Sequence, residues 1–258
     1  MKVVLFCGGL GTRIRDYSEN VPKPMVPIGH HPILWHVMQY YSHYGHRDFV
    51  LCLGYKSNVI KQWFLDYKPT IHHDFTISEH GSKVEVLGKT DDDWRATLID
   101  TGVWRNIGQR LLAVRKHVEN EEMFLANYRD GLSDVVLPEM IDFFRKSGKI
   151  ACFLAVRPNF SYHLIDFAEN GQVRAFRTSH DSETWINGGF FVLEPGVFDY
   201  IGGDGNIWEQ EPMRRLAGDG QLMTHLHHGF WQPMDTLRDR NLLEEHWSNG
   251  QAEWKLWS

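Results

Sequence analysis

The sequence predicts an α/β protein: a mixed, mostly parallel sheet with helices on both faces and a small β-rich insertion. Three observations lead there. Lys2–Cys7 (KVVLFC), Phe49–Leu53 and Ile150–Val156 are short apolar runs without polar alternation, the pattern of strands buried on both faces. Between such runs lie segments with apolar residues at helical spacing, so strand and helix alternate. Glycine and proline mark most of the joins.

Taken in order, residues 2–7 form the first strand and a glycine-rich loop follows. Pro32 suits the first position of a helix, and Ile33, Leu34, Val37, Met38 and Tyr41 keep helical spacing up to Gly45. Phe49–Leu53 is the second strand and Asn58–Tyr67 the second helix. At 73–78, 83–88 and 96–100 the pattern turns toward alternation and predicts short strands and hairpins. Gln109–His117 is amphipathic, Met123–Asn127 is a strand, Val136–Ser147 a helix and Ile150–Val156 a strand. His163–Phe167 and Val173–Phe176 flank Glu169-Asn170-Gly171, a two-strand turn signal. A strand at Phe190–Leu193, a helix at Trp208–Ala217, a strand at Leu222–His227 and a helix at Thr236–Trp247 complete the reading. No internal repeat, low-complexity tract or linker interrupts residues 1–258, which are read as one domain.

Composition narrows the function. The 258 residues are 42% hydrophobic and 23% charged, which excludes disorder as a description of the whole. No apolar run approaches the roughly 20 residues a membrane span needs. Seven residues precede the glycine loop, too few for a secretory signal. A net charge of −6 argues against nucleic acid as a partner but leaves room for an anionic small ligand. Cys7, Cys52 and Cys152 are unclustered and lie in apolar runs, as buried reduced cysteines of a cytoplasmic protein would. The adjacent histidine pairs at 30–31, 72–73 and 227–228 lack metal-ligand spacing. The polar-interspersed tail with Trp247, Trp254 and Trp257 needs something to pack on, either its own chain or another subunit.

Directly after the first strand comes GGLGTRIR, residues 8–15. Gly8, Gly9 and Gly11 allow positive φ and close approach, and consecutive N–H groups there cradle phosphate oxygens. Arg13 and Arg15 add planar donor forks. The glycine spacing is not that of a dinucleotide fingerprint, and no Gly-Lys-Ser/Thr follows. Downstream, in VPKPMVPIG, Pro22 and Pro24 fix the backbone on both sides of Lys23, so its ammonium loses less entropy on being aimed. Asp130 follows an apolar strand, where parallel sheets bind ligands, and Asp235 lies in the strand-to-helix turn QPMDTLRD. Each of these aspartates, taken alone, also reads as a helix cap. Asp134 and Asp239 read as cap or surface groups.

The combination of strand, GGLGTR and PKP resembles the sugar-phosphate nucleotidylyltransferases. The segments PILWHVMQYYSHYGHRDFVLCLGYKSNVIKQWF, DTG at 100–102, RDGLSDV at 129–135, INGGFFVL at 186–193, IWEQEPM at 207–213 and GFWQPMDTLRDR at 229–240 are similar to glucose-1-phosphate cytidylyltransferases. The resemblance implies a Rossmann-like fold, with a nucleotide half of about 1–135 and a sugar half of about 136–258. It implies transfer of a nucleotidyl group, expected from CTP, to a sugar-1-phosphate, with Mg²⁺ held by Asp130 and Asp235. It puts Arg13 on the triphosphate, Lys23 on phosphate, and Gly8, Gly9, Gly11 and Thr12 around base, ribose and phosphates. Arg110 matches an arginine near the substrates, although its turn reads NIGQR rather than a double glycine. Asn187 and Gly188 match acceptor-binding positions. Family members are commonly oligomeric, so a homo-oligomer is expected.

The pattern breaks in two places. The family's Tyr-Gly-Asp-Gly is Tyr128-Arg129-Asp130-Gly131 here. The family's Glu-Lys-Pro, whose lysine grips the sugar phosphate, is absent, and Ser161-Tyr162-His163 replaces Arg-Phe-Gly. Arg177 or His180 is the candidate substitute cation. These losses leave open another base, an acceptor other than glucose-1-phosphate, or a paralogue that binds without turnover.

Overall fold

The computed structural model describes residues 1–9, 11, 21–72, 74–87, 93–158, 163–178, 184–202 and 207–257. Seven strands form its central sheet: β1 (Lys2–Phe6), β2 (Asp48–Leu53), β3 (Arg95–Asp100), β4 (Phe124–Tyr128), β5 (Ala151–Val156), β6 (Ile186–Leu193) and β7 (Leu222–His227). Their spatial order is β7-β5-β6-β4-β1-β2-β3. Neighbours pair in parallel except at β6, which runs antiparallel to both β4 and β5. The expectation of a mixed, mostly parallel sheet therefore holds. The chain fills the β1-β2-β3 side first and then returns to β4 on the other flank of β1. The carboxyl ends of β1 and β4 thus diverge at the position where open α/β sheets bind ligands.

Six longer helices cover the sheet: α1 (Ile33–His43), α2 (Ser57–Asp66), α3 (Ile107–Val114), α4 (Leu137–Ser147), α5 (Glu211–Gly218) and α6 (Leu237–Ser248). Alternate residues of each strand feed opposite cores, because successive side chains leave a strand on opposite faces. Val3, Leu5, Leu51, Leu125 and Val192 join Leu34, Met38, Met140, Phe144 and Leu243 of α1, α4 and α6 on one face. Val4, Phe6, Val50, Phe124 and Phe191 join Leu111, Val114 and Leu216 of α3 and α5 on the other. The tryptophan tail docks on the first face: Trp254 is fully buried and Trp257 nearly so.

Two expectations need amendment. Residues 95–100 belong not to a hairpin but to the parallel edge of the main sheet, paired with β2 from Asp48↔Arg95 to Leu53↔Asp100. Half-exposed edge residues produce the alternation that suggested otherwise. The strand expected at 190–193 begins at Ile186 and carries an irregularity opposite Phe153–Ala155, where Gly189 takes φ +80°. A side chain there would meet the Tyr128 ring at 2.4 Å, so glycine is required. The hairpins Phe75–Ser78/Lys83–Val86 and Leu164–Phe167/Val173–Arg177 project from this frame as expected.

Candidate active site

All the candidate residues that the structure describes, except Arg177, belong to the carboxyl edge of the sheet or to segments packed against it. The decisive local element is a three-residue ladder that local pattern does not reveal. Gly131–Ser133 pairs antiparallel with Trp231–Pro233, and the Met234 amide donates to the Asp130 carbonyl at 2.8 Å. Asp130 and Asp235, far apart in sequence, are thereby set side by side. Between them lies Lys23, in a single 3₁₀ turn opened by Pro22 and occupied at its second position by Pro24. Its Nζ donates to Asp130 Oδ2 at 2.5 Å and to Asp235 Oδ1 at 2.7 Å. Lys23 is only 3% exposed, so the three charges hold one another in a largely desolvated corner.

Capping does not account for Asp235. The cap of α6 is Thr236, whose hydroxyl accepts from the Asp239 amide while Asp239 reaches back to the Thr236 amide. Asp239 Oδ2 also accepts from the Asp235 amide at 3.0 Å, which fixes the backbone from which Asp235 points to Lys23. Asp134 is engaged elsewhere, 2.8 Å from His227 Nε2. Ser133 adjoins the same nitrogen at 3.3 Å, as does the Phe230 carbonyl at 3.1 Å. Serine and aspartate sharing one ring nitrogen form no relay through the imidazole, so this Ser-His-Asp group is not a nucleophile triad. Burial pushes the Cys7 and Cys152 thiols up to about 12, and they stay protonated at neutral pH.

On the nucleotide side, Gly8 is buried beneath Arg110 and a Cβ there would sit 1.9 Å from its Nη1. Arg110 is 2% exposed and donates to the Leu53 carbonyl (3.0 Å), Thr101 Oγ1 (2.6 Å), the Gly8 carbonyl (2.9 Å) and the Val103 carbonyl (3.2 Å). It ties together the ends of β1, β2 and β3. Its burial lowers its pKa. Thr12 and Arg13 lie outside the described residues, as does His180. A cavity of about 340 Å³ opens over Gly9 and Gly11, with Lys23, Asp235, Arg110 and Arg129 on its walls. Val103, Trp104, Arg105 and Asn106 complete its rim. Sequence reasoning did not select this rim or Arg129 as site residues. The rim's signal was position alone, directly beyond the carboxyl end of β3; that of Arg129 was its place after β4 and its departure from Tyr-Gly-Asp-Gly.

On the far side, Asn187 Oδ1 accepts from the Gly189 amide at 2.9 Å, and the Gly188 carbonyl accepts from Trp231 Nε1 at 2.8 Å. The Tyr128 hydroxyl donates to Glu209 at 2.5 Å and lies 3.5 Å from Asn187 Nδ2; burial, then the Glu209 charge, raises its pKa. Arg177 stands apart from this group: it lies on the 164–177 hairpin and pairs with Asp166.

A sheet of this order, with a phosphate-suited glycine loop and two carboxylates on one lysine, is the frame of a nucleotidyl-transferring enzyme. The chain belongs to the nucleotidyl transferase family, whose pattern it matches over residues 2–216. It is 45% identical to glucose-1-phosphate cytidylyltransferase of Salmonella typhi over the full length of both chains. It is 38% identical to the probable glucose-1-phosphate cytidylyltransferase of Bacillus subtilis, again over both full lengths. In fold it is similar to a UDP-glucose pyrophosphorylase crystallised with UDP-glucose, with TM-score 0.70 at 15% identity, covering 96% of this chain and 98% of that one. HddC from Yersinia pseudotuberculosis shares the fold with TM-score 0.68 at 18% identity over 95% and 99% of the two chains.

Proposed function

We propose that this nucleotidyltransferase uses Mg²⁺ and CTP to convert a sugar-1-phosphate into a CDP-sugar with release of pyrophosphate. The observation that carries the reading is the convergence of Asp130 and Asp235 on Lys23 beside a glycine-lined cavity, in a chain 45% identical to a glucose-1-phosphate cytidylyltransferase. An oxygen of the sugar phosphate attacks the α-phosphorus, the bond from that phosphorus to the bridging oxygen breaks, and pyrophosphate leaves. The nucleophile is already anionic, so no general base is needed. The protein's work is positioning and charge neutralisation.

The donor set suits the metal. Two hard carboxylate oxygens lie within hydrogen-bond distance of one cationic nitrogen, which means that they aim at a common point. Asp130 and Asp235 would hold Mg²⁺, which when bound neutralises charge on the α-phosphate. In this structure Lys23 holds the two carboxylates together at that point; with Mg²⁺ there, its ammonium would be free to meet phosphate oxygens. Gly8, Gly9 and Gly11, with Thr12 and Arg13, receive the nucleotide. Arg110 acts as a positioning residue, since its hydrogen bonds to the Leu53, Gly8 and Val103 carbonyls and to Thr101 go to the loop ends rather than the cavity. Asn187 and Gly188 face the acceptor. Arg177, with its Asp166 partner, would reach the acceptor only through the hairpin that carries it.

The reading includes a cytoplasmic homo-oligomer. Support for assembly comes from the two hairpins, which hold Ile77, Phe167 and Phe176 more than half exposed. Light scattering on the purified protein checks the assembly. The function is tested by pyrophosphate release in Mg²⁺, crossing four ribonucleoside triphosphates and dTTP against a panel of sugar-1-phosphates. Release with CTP and one acceptor is expected. Binding of CTP without release across the panel would favour a paralogue without turnover.

A further inference from the structure

The cavity wall contains a cation that neither the acidic pair nor the glycine loop employs. Arg129 lies between Tyr128, the last residue of β4, and Asp130. Its Nη1 donates to the Phe6 carbonyl, at the end of β1, at 3.0 Å. The guanidinium therefore bridges the two strands whose ends diverge to form the ligand crevice. It lies over Gly9, where a Cβ would stand 2.6 Å from Nη2, so the glycine provides the space the guanidinium occupies.

The two arginines of this corner are used differently. Arg110 donates to three carbonyls and a hydroxyl and is buried behind Gly8. Arg129 makes one hydrogen bond among the described residues, and its Nε is buried without an acceptor there. A planar fork fixed along one edge, with donors left over, on the wall of a cavity that also contains Lys23 and Arg105, is built for an anion. Asp130 and Asp235 both accept from Lys23, and neither accepts from Arg129 among the described residues.

We infer that Arg129 binds a phosphate oxygen of the nucleoside triphosphate above Gly9, and is thus a determinant of triphosphate affinity that this chain has in place of the glycine of Tyr-Gly-Asp-Gly. The inference rests on the nucleotide reading of the cavity. It also places the added positive charge on the nucleotide side of the reaction, whereas the lysine missing from Glu-Lys-Pro belongs to the acceptor side.

The test is calorimetric binding of CTP, inorganic tripolyphosphate and cytidine to the wild type, Arg129→Gly and Arg129→Lys, with thermal midpoints measured in parallel. Loss of a charge-assisted hydrogen bond predicts CTP and tripolyphosphate binding weakened roughly 10- to 100-fold in Arg129→Gly. Cytidine affinity should not change, and Arg129→Lys should recover part of the loss. In turnover the KM for CTP should rise while the KM for the acceptor does not. Equal weakening of cytidine and CTP would mean a structural role only, and unchanged CTP and tripolyphosphate binding would overturn the inference outright. A wild type that binds no triphosphate would overturn the nucleotide reading and this inference together.

Discussion

Lys23, Asp130 and Asp235 form one electrostatic unit about the buried lysine, so removing any member leaves the others unbalanced. Asp130→Ala and Asp235→Ala should each reduce kcat by about 10³-fold or more while CTP still binds, because in the proposed reaction each contributes charge stabilisation in the transition state. Single-turnover pyrophosphate release checks this. Arg110→Ala belongs to a different class. It leaves the carbonyls of Gly8, Leu53 and Val103 without their guanidinium donor and opens a void, so both stability and CTP affinity should fall. A drop of roughly 5–10 °C in thermal midpoint is expected, from a cost of about 2–3 kcal/mol and the usual dependence on chain size. Of these residues, Lys23 was legible from its proline brackets and the aspartates from their place after strands. The difference between Arg110 and Arg129 was not legible, because which carbonyls a guanidinium reaches depends on three strand ends that only the folded sheet brings together.

At the scale of elements, β1, β2, β4, β5 and β7 and helices α1, α2, α4 and α6 follow from apolar pattern to within a residue or two. Buried parallel strands are continuous apolar runs, and the helices are bounded by prolines, glycines and a threonine cap. The 131–133/231–233 ladder escaped because three residues are too few to show a period and its partner lies 100 residues away. Yet that ladder, more than any helix, assembles the acidic pair. Thr236→Ala tests how tightly α6 is coupled to it. Losing the cap should cost about 1 kcal/mol, or about 2–4 °C in thermal midpoint, measured by calorimetry. The same change should lower kcat more than it raises KM, because Thr236 and Asp239 hold the backbone behind Asp235.

At the scale of the molecule, the docked tail joins the core on one face of the sheet, which runs from Val3 to Trp257. His36 lies at its centre, fully buried, with Nε2 donating to the Ile28 carbonyl at 3.0 Å and Nδ1 accepting from Trp254 Nε1 at 3.4 Å. Burial pulls its pKa down from 6.5 to about 3, and that of the more exposed His46 to about 4. The unfolded chain therefore binds more protons than the native one between those values and about 6.5. The contribution of these histidines to stability is complete well above pH 6.5 and is lost as the pH falls, with a slope of up to about 1.4 kcal/mol per pH unit for His36. Chemical denaturation from pH 7.5 to 5 should show this decline, and His36→Gln should flatten it. In the proposed function the acidic pair performs a metal-dependent nucleotidyl transfer. Its most direct measurement is a Mg²⁺ titration of pyrophosphate release from CTP and the acceptor found in the panel, for the wild type and Asp235→Asn. Saturable activation by Mg²⁺ in the wild type, and its loss in a variant that remains folded and still binds CTP, is the result expected. Equal release by both proteins, or release indifferent to Mg²⁺, would contradict the account.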